Sequence, residues 1–310
     1  MNNDLIAAVS KEWGDISLKG LAGWNLAQRY QTDQWLEGDN LQFMDFYNIS
    51  SVLGVPGYSQ TTYKQRDGAF YGDLTLGFRE FLFLHGSDRM EWNSTLDPTQ
   101  YRYNYYGVDA SLIFTQAIDA LKNSKVLTYG KLRGGFTHVA NINLGGNNAY
   151  GAYLLVNPFV PATGYQQTSS GFPFGSLGGY SQSSTYLNPL IKPEITDEFE
   201  VGGELGFYNN RINLSGAYYQ SKSKGQTLTA SIPAPTGFTS KVVNAGLVTN
   251  RGYELDLNVT PIKTKDVTWS VGVSYAHYMN KINELLPGVD ELQLSNFANG
   301  SAGVAGGSML

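Results

Sequence analysis

Residues 194–207 alternate between polar and apolar side chains. Because successive side chains of a β-strand point to opposite faces of its sheet, this segment predicts a strand with one polar and one apolar face. Asp197 is the charged exception on the apolar side. The alternation resumes after Tyr208-Asn209-Asn210, which predicts a hairpin. The polar side carries Glu194, Thr196, Glu198, Glu200, Gly202 and Glu204, and the apolar side carries Ile195, Phe199, Val201, Leu205 and Phe207.

The same alternation recurs along most of the chain. Ile6 to Val9 resembles the end of an earlier strand, followed by a turn over residues 11–15. Residues 115–125 are expected to form a helical turn between two strands. The predicted strands are 16–29, 64–78, 81–92, 103–114, 127–140, 195–207, 211–222, 247–260 and 267–280.

Short and long connections alternate between these strands. The short ones are Arg79-Glu80, 208–210 and 261–266, and the long ones are 30–63, 141–194, 223–246 and 281–310. In an up-and-down barrel this alternation puts the short turns at one rim and the long loops at the other. Outer-membrane barrels have this arrangement, with short periplasmic turns and longer extracellular loops.

Composition excludes several classes of function. The 310 residues include no Cys, so disulfides and Cys-ligated metals are excluded. The net charge is −5 and no basic stripe is present, which argues against nucleic acid as a partner. Charged residues make up 15% of the chain, below the usual share of about 25% in soluble domains. No apolar run approaches the roughly 18 residues of a membrane helix, which leaves a barrel open.

An apolar strand face can meet either lipid or a second sheet. A soluble β-sandwich or adhesin-like binding domain would show the same alternation, with shorter strands and fewer bulky aromatic residues at strand ends. We therefore favour a barrel and keep the sandwich as the alternative. The barrel hypothesis puts one set of residues toward lipid, Tyr253, Leu255, Leu257, Val259, Val271 and Val273. It puts another set toward the lumen, Glu198, Glu200, Glu254 and Asp256.

Several phrases resemble the SusC/RagA family of TonB-dependent outer-membrane transporters. They occur in the family's order and span most of the chain. They are YGDLTLGFREFLFLHGSDRMEWNSTL (71–96), LKNSKVLTYGKLRGGFTHVAN (121–141), IKPEITDEFEVGGELGFYNNRINLSGAYY (191–219), VVNAGLVTNRGYELDLNVTPIKTKDVTWSVGVSYAHYMNKI (242–282) and SAGVAGGSM (301–309).

The resemblance implies an all-β antiparallel meander that forms part of a large transmembrane barrel of about 22 strands in the cell outer membrane. It also implies TonB-dependent import of glycans or peptides under a SusD-like surface lipoprotein, in contact with the TonB complex and the lipid bilayer. Residues 1–310 are expected to be a partial barrel, without plug, TonB box, signal peptide or closing strands.

Catalytic chemistry is not expected. Glu194, Glu198, Glu200 and Glu204 share one strand face, so we interpret them as lining a water-filled lumen rather than as acid–base or metal residues. His85, His138 and His277 lie on separate strands without the spacing of metal ligands. No GxSxG element, P-loop or HExxH motif is present. The expectation is therefore a protein that is not an enzyme and has no cofactor.

The long-loop ends of the strands are the expected place for ligand contacts. Tyr and Trp faces stack on sugar rings or peptide side chains, and loops on a rigid scaffold often carry binding residues. The alternative is that these aromatic residues form the interface girdle of a barrel or pack loops together. The candidate substrate-contact residues are Arg89, Trp92, Tyr101, Tyr103, Tyr150, Tyr153 and Tyr165.

Overall fold

Long antiparallel strands, joined in sequence order, make up most of the protein. A computed structural model describes residues 1–142, 159–161, 180–182, 184–285, 291–297 and 300–305. The strands are β1 (Asn2–Trp13), β2 (Ile16–Glu37), β3 (Gly57–Phe78), β4 (Leu82–Asn93), β5 (Arg102–Leu112), β6 (Leu127–Asn141), β7 (Phe159–Pro161), β8 (Tyr180–Gln182), β9 (Thr185–Tyr186), β10 (Glu194–Phe207), β11 (Ile212–Ser231), β12 (Ser240–Lys263), β13 (Thr268–Glu284), β14 (Glu291–Phe297) and β15 (Gly300–Ala305).

One 11-stranded sheet contains most of these elements. Its order is β1-β2-β3-β4-β5-β6-β10-β11-β12-β13, with the short β9 pairing in parallel with the start of β12. All pairs along the main path are antiparallel, which confirms the predicted meander. Within the described residues β1 and β13 are the two edges, so the sheet is not closed. Two separate two-stranded antiparallel sheets pair β7 with β8 and β14 with β15.

Tight turns end the strands at one edge, as the sequence predicted. Arg79 and Glu80 have φ of 49° and 57°, and Tyr208, Asn209 and Asn210 have φ between 53° and 57°. Left-handed backbone of this kind suits the twist of two-strand hairpins. Between β5 and β6 the same edge carries two short helices, α1 (Phe114–Ala117) and α2 (Asp119–Lys122), which confirms the predicted helical turn.

The strands are longer than predicted at the opposite edge. β2 and β3 extend through much of the segment 30–63, and β11 and β12 extend through much of 223–246. Polar residues pair across the extension, where the Gln34 amide donates to the Gln60 amide oxygen over 3.1 Å. The prediction treated polar composition as loop, whereas cross-strand hydrogen bonds continue the ladder there. β1 likewise runs from Asn2 to Trp13, so the turn predicted over 11–15 is only Gly14-Asp15.

The two faces of the sheet differ as the alternation predicted. We call the side that carries Glu198 and Glu254 the polar face, and the side that carries Phe199 and Leu255 the apolar face. Many apolar-face side chains are exposed in the described residues, for example Phe199 at 51% and Val273 at 62%. No second sheet covers them within the described part of the chain. None of the described helices is long and apolar enough to cross a membrane.

A small buried cluster lies at the long-loop edge. It contains Leu96, Tyr103, Ala140, Ile191 and Val242. The segment before β10 is held there by Asn244, whose side-chain amide donates to the Lys192 carbonyl over 2.8 Å. The Lys192 amide donates back to the Asn244 side-chain oxygen over 2.7 Å. The sheet therefore has a packed cap at one edge and exposed faces elsewhere.

Candidate functional site

Charged and aromatic side chains meet on the polar face near the long-loop edge. The register places Arg89 of β4 between Tyr71 of β3 and Tyr105 of β5, and it places Glu91 directly opposite Tyr103. All five residues lie on the polar face. Because directly opposed side chains in an antiparallel pair lie about 5 Å apart at Cβ, this register forces them into contact. We call these five residues the rim cluster.

Glu91 connects the charged and aromatic parts of the rim cluster. The Arg89 Nε donates to Glu91 Oε2 over 2.8 Å, and the Tyr103 hydroxyl donates to Glu91 Oε1 over 3.0 Å. The Arg89 guanidinium lies 5.6 Å from the centroid of the Tyr71 ring. Tyr103 and Tyr105 meet edge to face with ring centroids 5.4 Å apart. Each of the five side chains therefore contacts at least one other member of the rim cluster.

A second polar group adjoins the rim cluster. Asp67 of β3 is only 5% exposed and forms an ion pair with Arg29 of β2. Its Oδ1 accepts hydrogen bonds from the Gln65 amide at 2.8 Å and the Asn93 amide at 2.6 Å. A buried carboxylate with these partners is well compensated, since buried charges are stable only when paired and hydrogen-bonded. Through these contacts Asp67 connects β2, β3 and β4 beside the rim cluster.

The short loop between β4 and β5 is anchored to this group. Asn93 Oδ1 accepts hydrogen bonds from the Thr95 amide at 2.9 Å and the Thr95 hydroxyl at 2.6 Å. Further along, hydrogen bonds from the backbone and hydroxyl of Thr99 lower the pKa of Asp97. The backbone amide of Asn93 donates to the backbone carbonyl of Tyr101 over 3.0 Å. The Tyr101 ring lies at the rim and is 39% exposed.

The structure separates the predicted contact residues into three groups. Arg89 and Tyr103 come together through Glu91, and Tyr101 lies on the rim beside them. Trp92 points to the apolar face, where its ring packs edge to face on Phe70 at 5.6 Å. Trp92 and Arg89 therefore lie on opposite faces of β4. Tyr150, Tyr153 and Tyr165 lie outside the described residues.

Three members of this region were not among the predicted contacts. Glu91, Tyr71 and Tyr105 lie on the same face of the sheet as Arg89 and Tyr103. The alternation of polar and apolar residues along each strand could have predicted this shared face. Alternation does not give the register between strands, which sets the partner of each residue. The side chain of Glu91 is 15% exposed and that of Arg89 is 35% exposed, so the cluster is reachable mainly through the arginine.

Deeper on the polar face, ion pairs connect neighbouring strands. His85 bridges two carboxylates, with Nε2 2.7 Å from Asp73 and Nδ1 2.5 Å from Asp109. Glu200 pairs with Arg133, and Glu204 Oε1 lies 3.8 Å from Lys131 Nζ. Glu200 and Glu204 therefore take part in cross-strand ion pairs. Among the described residues no group of His, Asp and Glu is arranged to hold a metal ion.

The polar face also carries an open cavity of about 490 Å³ on β6, β10, β11 and β12. Glu204, Glu254 and Asp256 line it together with Arg133 and Tyr129. Asp256 accepts a hydrogen bond from the Ser274 hydroxyl over 2.5 Å. With three carboxylates and one guanidinium, this surface suits a polar or basic neighbour.

Comparison with known proteins gives a consistent match. The family model described as TonB dependent receptor-like, beta-barrel, matches residues 8–305. TonB-dependent receptor SusC of Bacteroides thetaiotaomicron is 31% identical over 238 residues, covering 74% of this chain and 22% of that protein. TonB-dependent receptor P26 of Formosa agariphila is 27% identical over 230 residues, covering 73% of this chain and 21% of that protein.

A solved structure shares the same fold. The RagAB peptide importer in its closed-closed state superposes with a TM-score of 0.75 at 19% identity, covering 95% of this chain and 31% of the importer chain. The chain thus spans about a fifth of the length of the two curated relatives and about a third of that structure.

Proposed function

This chain belongs to the TonB dependent receptor-like β-barrel family of the outer membrane, and from that premise we propose that it forms wall and extracellular rim of a nutrient importer. The polar face is then the lumen and the apolar face meets lipid. The cargo is a glycan or a peptide, and import draws energy from the TonB complex. A SusD-like surface lipoprotein covers the extracellular mouth.

The observation that carries this proposal is the rim cluster. On the luminal side of the long-loop edge it places the Arg89 guanidinium and the partly exposed rings of Tyr71 and Tyr105, whereas Tyr103 is buried. The long-loop edge is the extracellular edge in outer-membrane barrels. A ligand entering from outside meets this surface before the deeper ion pairs. Tyr101 on the adjoining loop extends the same aromatic surface outward.

The chemistry of the cluster fits glycans and peptides. Tyrosine rings stack on sugar rings or side chains, and hydroxyls bond to sugar hydroxyls or peptide amides. A guanidinium offers several donors in a fixed plane to carbonyl or carboxylate oxygens. Glu91 holds Arg89 and Tyr103 in place, so little ordering is needed when a ligand binds. Tyr150, Tyr153 and Tyr165 are proposed as further contacts.

The soluble sandwich alternative has less support. It needs a cover over the apolar face, many of whose side chains are exposed in the described strands. An enzyme for glycans would need two carboxylates facing each other across a cleft. The luminal carboxylates Glu200 and Glu204 are instead paired with basic residues on the neighbouring strand. We therefore propose transport without catalysis.

The test uses the full-length transporter that contains these residues, with matched changes on neighbouring positions of β5. Tyr105→Ala removes a luminal ring of the rim cluster, and Tyr106→Ala removes a ring from the lipid-facing side. Purified proteins are incubated with a mixed oligopeptide library and a mixed neutral oligosaccharide library, and the retained molecules are quantified by mass spectrometry.

We expect Tyr105→Ala to lower capture by about threefold to tenfold, the value of one aromatic contact, and Tyr106→Ala to leave capture unchanged. Barrel assembly is checked separately by heat-modifiable electrophoretic mobility. Equal capture by wild type and Tyr105→Ala would contradict the rim cluster as a contact surface. In a separate experiment, cells are supplied with the captured oligopeptide or oligosaccharide. Uptake of that molecule in cells lacking TonB would contradict the importer proposal itself.

A further inference from the structure

The side chain of Tyr71 lies across the neighbouring strand on the polar face. The register places Tyr71 of β3 directly opposite Gly23 of β2. A Cβ built on Gly23 would lie 2.5 Å from the Tyr71 hydroxyl oxygen and 2.6 Å from Tyr71 Cε2, with Tyr71 Cζ nearer still. The end of the tyrosine ring therefore occupies the space that a side chain at position 23 would fill.

Gly23 thereby sets the orientation of the Tyr71 side chain. Side chains of a strand normally stand roughly perpendicular to the sheet. Beside a glycine an aromatic ring can lean over the open backbone, as in the aromatic rescue of sheet glycines. The hydroxyl end of Tyr71 is therefore down on β2, and the lumen meets the carbon atoms of a partly exposed ring.

The apolar surface continues on β1 and β2. Ile6 of β1 lies directly opposite Gly23, and Leu21 lies on the same face two residues along β2. Ile6 is 57% exposed, although the face that carries it is mainly polar. We call Ile6, Leu21, Gly23 and Tyr71 the luminal patch. It is an apolar area beside the charged side chains of the rim cluster.

Hydrogen-bonding groups border the luminal patch on two sides. On one side Asn25 Nδ2 donates to Asp4 Oδ1 over 2.7 Å and to Asn2 Oδ1 over 2.8 Å. On the other side the Arg89 guanidinium lies 5.6 Å from the centroid of the Tyr71 ring. Asp4 and Asn2 are exposed on the polar face, so a ligand can reach the carboxylate and the amide. The patch thus combines an apolar centre with donors and acceptors at its edge.

We infer that the luminal patch is a subsite for one pyranose ring and that Gly23 holds the Tyr71 ring where this subsite needs it. The inference rests on the importer function proposed above, and it selects the glycan from the two classes of cargo. A pyranose has an apolar C–H face, which contacts Tyr71 and Ile6, and edge hydroxyls, which bond to Asp4 and Arg89. An aromatic side chain of a peptide could cover the same apolar centre, but it has at most one hydroxyl for these edge groups.

Gly23 acts in this subsite as a positioning residue, since it has no side chain of its own to offer. An alanine at position 23 has to displace the Tyr71 ring. The atoms nearest to its Cβ belong to the far end of the Tyr71 side chain and not to the backbone, so the strands can stay paired while the ring moves. Gly23→Ala therefore removes the centre of the luminal patch and leaves the barrel assembled.

The test uses the full-length transporter and a second luminal glycine as the matched control. Gly23→Ala displaces the ring, and Tyr71→Ala removes it. Gly107→Ala adds the same methyl group to the polar face of β5, where the nearest atom, Cγ2 of Thr137, is 3.4 Å away. Purified single variants and the double variant Gly23→Ala/Tyr71→Ala are incubated with a mixed neutral oligosaccharide library and a mixed oligopeptide library. Retained molecules are quantified by mass spectrometry, and barrel assembly is checked by heat-modifiable electrophoretic mobility.

We expect Gly23→Ala and Tyr71→Ala each to lower oligosaccharide capture by about threefold to tenfold, the value of one aromatic contact. The double variant should capture as much as Tyr71→Ala alone, because the ring that Gly23→Ala displaces is already absent. Gly107→Ala should capture as wild type does. Additive losses in the double variant, or equal losses for Gly23→Ala and Gly107→Ala, would overturn the positioning role.

The remaining outcomes separate this inference from the importer proposal. Capture of oligopeptides alone by wild type would overturn the pyranose subsite and leave a peptide importer. Capture of neither library by wild type would overturn both proposals. If Gly23→Ala fails to assemble, Ile6→Asn decides, because it removes an apolar contact without filling the space of the ring. It should lower oligosaccharide capture by about threefold, and unchanged capture would overturn the subsite.

Discussion

Asp197 Oδ1 lies 2.5 Å from Nδ1 of His138, across the pair formed by β10 and β6 on the lipid-facing side. Lys224 Nζ approaches the other carboxylate oxygen at 2.9 Å, and the ring of Tyr106 stacks on His138 with centroids 4.7 Å apart. The one charged residue that interrupts the apolar alternation of 194–207 is therefore compensated by strands on both sides of β10.

This arrangement predicts that Asp197→Asn destabilises the barrel by about 1 kcal/mol, because it leaves a lysine and a histidine without their shared carboxylate. The measurement is urea-dependent unfolding of the full-length protein in lipid vesicles. Asp15→Asn is the matched control, since the Asp15–Arg79 pair is exposed on both sides and should change stability by less than about 0.5 kcal/mol. Equal effects of the two changes would refute a special role for Asp197.

Leu257 tests the assignment of the faces. An arginine there would place a cation against lipid, and we expect a cost of about 2–4 kcal/mol if the site lies near the bilayer midplane. Asn258→Arg, one position along β12, places the same side chain in the lumen beside Asp256 and should cost much less. The same unfolding measurement compares them. A larger loss for Asn258→Arg would reverse the assignment of lumen and lipid.

Single cysteines give an independent test of the faces. The chain contains no Cys, so each introduced thiol is the only reactive thiol within these residues. In cells, Val271→Cys and Val273→Cys should react with a lipid-soluble maleimide, and Glu200→Cys and Glu254→Cys with a water-soluble one. Indistinguishable labelling of the two pairs would contradict the parity assignment.

Gly252 is expected to tolerate no side chain. A Cβ built there would lie 2.7 Å from the His277 carbonyl oxygen and 2.7 Å from the Tyr219 hydroxyl. Because the carbonyl is backbone, the strands must separate, and we expect Gly252→Ala to cost about 1–3 kcal/mol. At Gly72 the nearest atom to such a Cβ is the Leu21 carbonyl oxygen at 3.7 Å, so Gly72→Ala is the control. Comparable unfolding midpoints for the two variants would show that the close approach at Gly252 is not limiting.

Most of the fold was predictable from local alternation. A period of two assigns each residue to a face without any knowledge of its partners, so the lipid-facing set around Leu255 and the luminal set around Glu254 followed from the sequence. The alternation also places Trp92 and Arg89 on opposite faces of β4, although both were grouped as contact candidates because they lie close in sequence. Ligand contact by Arg89, Tyr101 and Tyr103 stays a prediction.

Strand length was less predictable at the extracellular edge. Residues such as Gln34 and Gln60 are polar enough to suggest loop, and only pairing with each other keeps them in the ladder. Local composition cannot indicate such pairing, since the free energy comes from a partner 26 residues away. The same holds for β1, whose pairing with β2 extends to Trp13.

The sequence by itself determined the strand type, the two faces and the alternation of short and long connections, because these depend on backbone geometry and on neighbours in the chain. The register between strands was decided only by the tertiary structure, because it depends on which residues face each other across the sheet. Register joins Arg89 and Tyr103 through Glu91 and places His138 beside Asp197.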